Sequence, residues 1–401
     1  MASEQQTPQQ KTYDVVIVGG AMMGSSTAWW LSRNPDFDGR ILVVERDPSY
    51  EFASTSHTNS CIRQQFSSPT NIRISQFGAK FIREFKTFMD DQDAPDIVLQ
   101  EFGYMYLAGD AQKEAELRDA YAVQKQLGAG TRLMTPEQIA EEYPFYNVED
   151  ILLGSHNPVD EGYWDGGTVF DWFRRKARAN GVEYIANEVV GIDRENGRVT
   201  GVRLASGETV GAGHVVNASG PRAALTSAMV DLPLPVEPRR RYTFIFDCAE
   251  DLGQDLPLTI DPSGVHMRTD GRYFLCGCPP FDDKTMDPTD FSYEDDIWEE
   301  KLWPALAHRV PAFERIKVVN SWVGHYAYCT LDHNAIIGPA PDLHNFMFLN
   351  GFSGHGLQQS PAMGRAMSEL IIHGTYQTLD LTPMGYERVT TGQPFIETAV
   401  I

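Results

Sequence analysis

The stretch that most narrows what this chain can fold into lies near its start: Tyr13-Asp14-Val15-Val16-Ile17-Val18-Gly19-Gly20-Ala21-Met22-Met23-Gly24. Residues 15–18 form an unbroken apolar run, the pattern of a strand buried on both faces. Glycines then turn the chain into a second apolar segment, residues 27–31, which reads as a helix. A further apolar strand, residues 41–44, ends at Glu45, about 20 residues past Gly24. This is the layout of a dinucleotide-binding βαβ unit. The helix N-terminus offers free N–H groups and a positive dipole end to a pyrophosphate. Gly19 permits the tight turn, Gly24 permits close helix–strand packing, and Glu45 can accept hydrogen bonds from ribose hydroxyls. Ala21 stands at the middle glycine position, so the pattern is G-x-A-x-x-G, and its methyl requires a negative φ.

At 401 residues the chain exceeds what one core usually holds, so two domains are expected. A net charge of −22 argues against nucleic acid and anionic membrane surfaces as partners. It also makes an arginine in a candidate site stand out. The five cysteines, Cys61, Cys248, Cys276, Cys278 and Cys329, fit no zinc or CxxC spacing, so free thiols in a reducing, cytoplasmic compartment and no metal site are expected. The polar N-terminus lacks the apolar stretch of a secretory signal, and no run is long enough to span a membrane.

Taken in order, apolar strands and helices alternate with segments of shorter, antiparallel character. The expected organisation is a disordered tail (1–11), a nucleotide-binding domain in three pieces (12–90, 153–232 and 333–385), a substrate domain between them (91–152 and 233–332), and a C-terminal tail (386–401). The fold class is α/β, α+β overall: a Rossmann-like domain interleaved with an antiparallel or mixed sheet. Strand–glycine–helix junctions recur at Gly19, Gly220 and Gly351. Three such junctions at one sheet edge could hold one long ligand along its length. The last would aim the N-terminus of a helix, expected from Pro361 to His373, at the ligand's far end. The N1–C2=O edge of a reduced flavin gives such a dipole a task, so FAD explains the third junction and NAD does not.

The chain resembles the D-amino-acid oxidase (DAO) superfamily of FAD-dependent oxidoreductases, in particular its sarcosine, dimethylglycine and glycine oxidase branch. The residues that carry the resemblance are the opening motif and Ile62-Arg63-Gln64-Gln65-Phe66. With them go Val215-Val216-Asn217-Ala218-Ser219-Gly220-Pro221, Asp332-His333-Asn334-Ala335-Ile336-Ile337-Gly338 and Gly351-Phe352-Ser353-Gly354-His355-Gly356. The resemblance implies oxidation of a C–N bond of an amine or N-alkyl amino acid by hydride transfer to flavin N5, the imine then hydrolysing. It implies that Gly19, Ala21, Met23, Gly24, Glu45, Arg46, Thr55, Ser56, Val189, Gly220, Gly351, Ser353, Gly354 and Gly356 touch FAD. Partners would be a small amine or amino acid and an electron acceptor, oxygen or another. Two competing readings share these features: a 2-hydroxy acid or polyol-phosphate dehydrogenase, and a non-catalytic flavin-binding assembly protein.

For the substrate, Arg63 lies in the loop that covers the flavin in this family, and a guanidinium fits a carboxylate bidentately. His355, His57 and His266 are further candidates, with Arg268 beside His266 on an alternating strand and Tyr326 on an aromatic wall. Three departures stand out. Gln358 occupies the position where sarcosine oxidases carry a carboxylate-binding lysine, and no lysine matches the one above the flavin. The position of the flavin-linking cysteine falls near His325, with Cys329 displaced by four residues, so FAD is expected to be non-covalent and the acceptor is left open.

Overall fold

The structure, a computed structural model, describes residues 5–398. The opening apolar run forms the strand Thr12–Val18, central in a sheet of eight. It pairs in parallel with Ile41–Glu45 on one side and Thr209–Asn217 on the other. Glu183–Ala186 and Leu343–Asn350 extend the parallel set outward. Ile336–Ala340 closes one edge antiparallel, and Val189–Glu195 and Arg198–Leu204 form a hairpin on Thr209–Asn217. Val15, Val16 and Ile17 have no exposed surface, as strands covered on both faces require.

The helix Met22–Ser32 follows the glycine turn and packs between the helices Gly166–Ala179 and Gly356–His373. Its approach to the latter is close, because a Cβ on Gly364 would lie 2.1 Å from Ser26 Oγ. Pro361 is not the start of the last helix: the helix begins at Gly356 and Pro361 lies inside it. The proline removes the N–H that would bond to Leu357 O, and Ser360 Oγ supplies a donor to that oxygen at 2.8 Å.

The second eight-stranded sheet runs in the order Ile316–Cys329, Val236–Cys248, Tyr273–Cys278, His266–Asp270, Leu258–Ile260, Tyr104–Ala108, Leu153–Asn157, Arg132–Met134. It is antiparallel except where Leu258–Ile260 meets Tyr104–Ala108. The chain crosses between sheets repeatedly, so the layers are interleaved. Leu153–Asn157, expected to open the second nucleotide-binding piece, pairs with Tyr104–Ala108 in this second sheet.

The two terminal segments also depart from expectation. Residues 1–4 and 399–401 lie outside the described residues. Gln6 N donates to Ala186 O at 2.9 Å, so the described part of the N-terminal segment runs along the edge of the first sheet. The C-terminal segment folds back as the helix Glu387–Thr391. Arg388 forms a buried pair with Asp332 at 2.6 Å, and Glu397 takes Ser67 N at 2.7 Å and Asn71 Nδ2 at 3.0 Å. Neither interaction leaves an apolar pattern to read.

Candidate active site

The phosphate turn is shaped by steric limits. Gly19 has φ +98°, and a Cβ there would meet Ala218 O at 2.5 Å. A Cβ on Gly24 would lie 1.9 Å from Gly19 O. Ala21, at φ −69° and ψ −162°, is ordinary extended backbone, so its methyl is accommodated. Glu45 accepts from Gly20 N and Asp47 N, both at 2.8 Å, which ties the second strand to the turn. Burial raises its pKa against those two donors.

From this turn an elongated cavity of about 520 Å³ runs to the second sheet, within the range of small-molecule and cofactor sites. Gly19, Ala21, Met23, Glu45, Arg46, Thr55, Val189, Gly220, Ser353, Gly354 and Gly356 line it. Three expected cofactor residues do not. Gly24 serves helix packing, Ser56 Oγ donates to Tyr50 O at 2.7 Å, and Gly351, at φ +73°, turns the chain against Val236 and Cys329. All three strand–glycine–helix junctions therefore border one cavity or support its wall. The space and the bare backbone at the turn suit a dinucleotide. The start of the helix Gly356–His373 faces the other end, where its first N–H groups lack intrahelical acceptors.

All six substrate candidates, Arg63, His57, His266, Tyr326, His355 and Gln358, line this same cavity. Arg63 is fully buried, its guanidinium 4.0 Å from the Phe66 ring centroid. Arg63 Nη2 lies 2.8 Å from His355 Nε2. A guanidinium only donates, so Nε2 accepts and the proton of this neutral imidazole resides on Nδ1. Burial, with the Arg63 charge, pushes the His355 pKa well below its usual value. Gln358 Oε1 accepts from Arg63 N at 3.0 Å, so this side chain holds the arginine loop. His266 accepts from Asn59 Nδ2 at 2.8 Å, and burial, then Arg268 and Arg241, lower its pKa to about 4. Arg268 does not line the cavity: it donates to Asn59 O at 3.1 Å and pairs with Asp270. His57 packs against Phe291. Gly354, at φ +90°, lets Tyr326 approach, since a Cβ would meet its ring at 2.5 Å.

Two groups escaped the sequence reading. Arg241 lines the cavity, with its guanidinium 4.7 Å from the Tyr326 ring centroid. The run Arg239-Arg240-Arg241 in so acidic a chain was the available signal. Glu161 is fully buried and accepts from Gln64 N at 2.6 Å, Gln65 N at 3.0 Å and Asn157 Nδ2 at 2.8 Å, which fixes the Arg63 loop. Burial raises its pKa to about 7 against these donors and Arg63. Nothing in the motif vocabulary marks it. Cys329 Sγ faces Asp332 Oδ1 at 3.4 Å and lies outside the cavity wall, which accords with non-covalent cofactor. His325 lines the cavity, its Nε2 2.8 Å from Asp290 O.

The profile of the DAO family, FAD dependent oxidoreductase, matches residues 14–370. The chain belongs to the DAO family. FAD is its cofactor, and it is an oxidoreductase. The chain is 36% identical over 423 residues to FAD-dependent oxidoreductase domain-containing protein 1 of Xenopus laevis, covering 97% of this chain and 85% of that one. It is 25% identical over 382 residues to mitochondrial sarcosine dehydrogenase of Homo sapiens, covering 92% of this chain and 40% of that one. In fold it is similar to L-proline dehydrogenase from P. horikoshii, with a TM-score of 0.83 and 24% identity, covering 95% of this chain and 99% of that one. Among the described residues of this DAO-family chain, no helix is long and apolar enough to cross a membrane.

Proposed function

We propose that this DAO-family enzyme oxidises the C–N bond of a carboxylate-bearing amine, an amino acid or N-alkyl amino acid, giving an imine that hydrolyses. One observation carries the reading: two buried guanidiniums, Arg63 and Arg241, line the end of the cavity beside His355 and Tyr326. A planar fork matches a carboxylate better than any other side chain does. Two relatives, sarcosine dehydrogenase and L-proline dehydrogenase, are named for secondary amino acids, which supports that substrate class.

Bound FAD supplies the two-electron acceptor. The chain's own groups do the rest. The cofactor pieces 12–90, 158–232 and 333–385 hold the dinucleotide, and the segments 91–157 and 233–332 face the substrate. Two arginines and neutral imidazoles disfavour a further cation in the pocket, so the substrate amine is held without its extra proton. The lone pair that assists C–H cleavage is then already free, and no strong base is required. His355 donates through Nδ1, Tyr326 forms an apolar wall with a polar tip, and residues 279–297, which bring Pro288, Thr289 and Phe291 into the cavity wall, restrict water.

The test is anaerobic. Purified yellow protein is mixed with amines and amino acids, the visible flavin band is followed, and air or an artificial acceptor is then admitted. Bleaching by carboxylate-bearing secondary amines, with release of alkylamine or ring-opened product, is the expected result. Arg63→Ala should weaken the binding of such substrates by about 1.5–3 kcal/mol, as removal of a charged hydrogen-bond donor does. Failure of every amine and amino acid to bleach the flavin ends this reading. Bleaching by hydroxy acids alone would move the enzyme to alcohol donors.

A further inference from the structure

Arg241 already holds a carboxylate, and it belongs to the protein. Its guanidinium is about nine-tenths buried and faces the cavity. Nη1 meets Asp283 Oδ1 at 2.8 Å and Nη2 meets Asp283 Oδ2 at 3.0 Å, a fork-on-fork pair. Nη1 also donates to Arg240 O at 2.7 Å. Tyr326 and Tyr328 flank the guanidinium at 4.7 and 5.9 Å from their ring centroids.

Asp283 comes from outside the sheet. It sits in residues 279–297, the acidic segment between the strand Tyr273–Cys278 and the helical turn from Trp298. The segment lies over the cavity mouth, with Pro288, Thr289 and Phe291 in the wall. A second clip holds it there: Arg240 Nη2 pairs with Asp290 Oδ2 at 2.8 Å. The Phe291 ring packs 4.4 Å from that of His325 and 5.0 Å from that of Phe52. The two clips differ. Arg240 does not line the cavity, whereas Arg241 does.

The energetics of the Arg241 clip are unequal for its two members. A buried guanidinium is strongly destabilised without a counter-anion. The Asp283 carboxylate is about a third exposed and loses little by returning to water. Any carboxylate that reaches Arg241 from inside the cavity can therefore replace it.

We propose that Asp283 is an internal ligand of the substrate site, occupying the anion fork of Arg241, and that residues 279–297 form a lid released when a carboxylate ligand takes its place. The inference rests on reading the cavity as a carboxylate site, and it adds the competitor and the moving part. Entry then costs the latch: apparent affinity falls by the fraction of molecules in which Asp283 holds the fork. Amines without a carboxylate do not open the lid.

The experiment uses the FAD-loaded protein and benzoate as probe, with neutral benzamide as control, read by calorimetry and by amide hydrogen exchange. Asp283→Asn should tighten benzoate binding at least tenfold and leave benzamide unchanged. Asp282→Asn removes the same charge one residue away, where, among the described residues, the side chain pairs with exposed Lys284 at 3.1 Å. It should leave benzoate affinity within twofold of wild type. Arg241→Gln in the Asp283→Asn background should reverse the gain. Saturating benzoate should speed exchange of residues 279–297 in wild type, and Asp283→Asn should do so without ligand. The proposal is overturned if Asp283→Asn leaves benzoate affinity within twofold, if Asp282→Asn tightens it equally, or if benzoate does not alter lid exchange. These readouts need no turnover. A protein that shows them yet oxidises no amine would keep the latch and lose the proposed reaction.

Discussion

A methyl group at position 24 would sit 1.9 Å from the Gly19 carbonyl oxygen, whereas Ala21 carries its methyl three residues earlier at φ −69°. The two positions therefore respond in opposite ways to one carbon. Gly24→Ala must push the helix off the strand and should cost at least about 2 kcal/mol, by analogy with overpacked cores. It should also lower the FAD content of purified protein. Ala21→Gly should change stability by under about 1 kcal/mol and leave FAD content intact. Thermal melting and the flavin-to-protein absorbance ratio test both. Positions 19, 24 and 354 can be read from sequence because each belongs to a strand–glycine–helix junction: Gly19 and Gly354 take positive φ in the turn, and Gly24 meets the Gly19 carbonyl within the same motif. Arg241 and Glu161 cannot be read that way. Arg241 finds Asp283 42 residues on, and Glu161 meets Gln64 97 residues back, so their roles exist only once the sheets are assembled.

At the scale of elements, the helix Gly356–His373 shows why a sequence boundary fails. Proline normally marks a helix start, because its missing N–H costs nothing in the first turn. Here Pro361 sits in the second turn and Ser360 replaces the lost donor, so the helix extends back to the cavity wall. Ser360 is fully buried, and its carbonyl also receives Ser26 Oγ at 2.7 Å. Ser360→Ala should destabilise the protein by about 1–3 kcal/mol, the cost of a buried carbonyl left without a donor. Loss would register in denaturant midpoints and as faster amide exchange at residues 356–361. Unchanged stability would mean the Leu357 carbonyl finds another donor. The C-terminal segment makes the same point about length. Residues 386–398 are polar and look like a tail, yet Glu397 is fully buried and receives Ser67 N, Ser67 Oγ and Asn71 Nδ2 beside the start of the helix Pro69–Arg83. A carboxylate there satisfies free N–H groups and meets the positive helix end. Glu397→Gln loses acceptor capacity and should lower stability by about 1–3 kcal/mol, with faster exchange in residues 61–68.

For the molecule as a whole, the interleaving of two sheets was legible in the alternation of strand types, and the cavity between them follows from three junctions at one sheet edge. Burial keeps imidazoles neutral both in the cavity wall, at His266 and His355, and outside it, at His156 beside Arg132, and that has a consequence for stability against pH. His156 and His266 both have folded pKa values lowered to about 4, burial being the largest cause, and His355 lies well below its usual value. In the unfolded chain each titrates near 6.5. For His156 and His266 the unfolded state binds the extra proton between about pH 6.5 and 4, so their contribution is present above that window and is lost as pH falls through it; the His355 contribution is lost in the same direction. At pH 5 the loss is about 2 kcal/mol each for His156 and His266. Glu161 works in the opposite sense. Its folded pKa is raised to about 7, so its contribution is present below about pH 4.3, the unfolded value, and is lost as pH rises through 7. Carboxylates with lowered pKa, such as Asp332 beside Arg388, titrate below this range, and His214 and His325, also lowered by burial, act in the same sense as the other histidines. Denaturant unfolding at pH 5, 6 and 7 separates the terms, because the two signs require opposite changes of slope. His156→Gln should flatten the rise of stability with pH, and Glu161→Gln should steepen it while lowering stability overall, since the amide cannot accept from all the donors that face it. A slope that Glu161→Gln leaves unchanged would mean this carboxylate stays ionised throughout, held by Arg63 and the loop amides against the pull of burial.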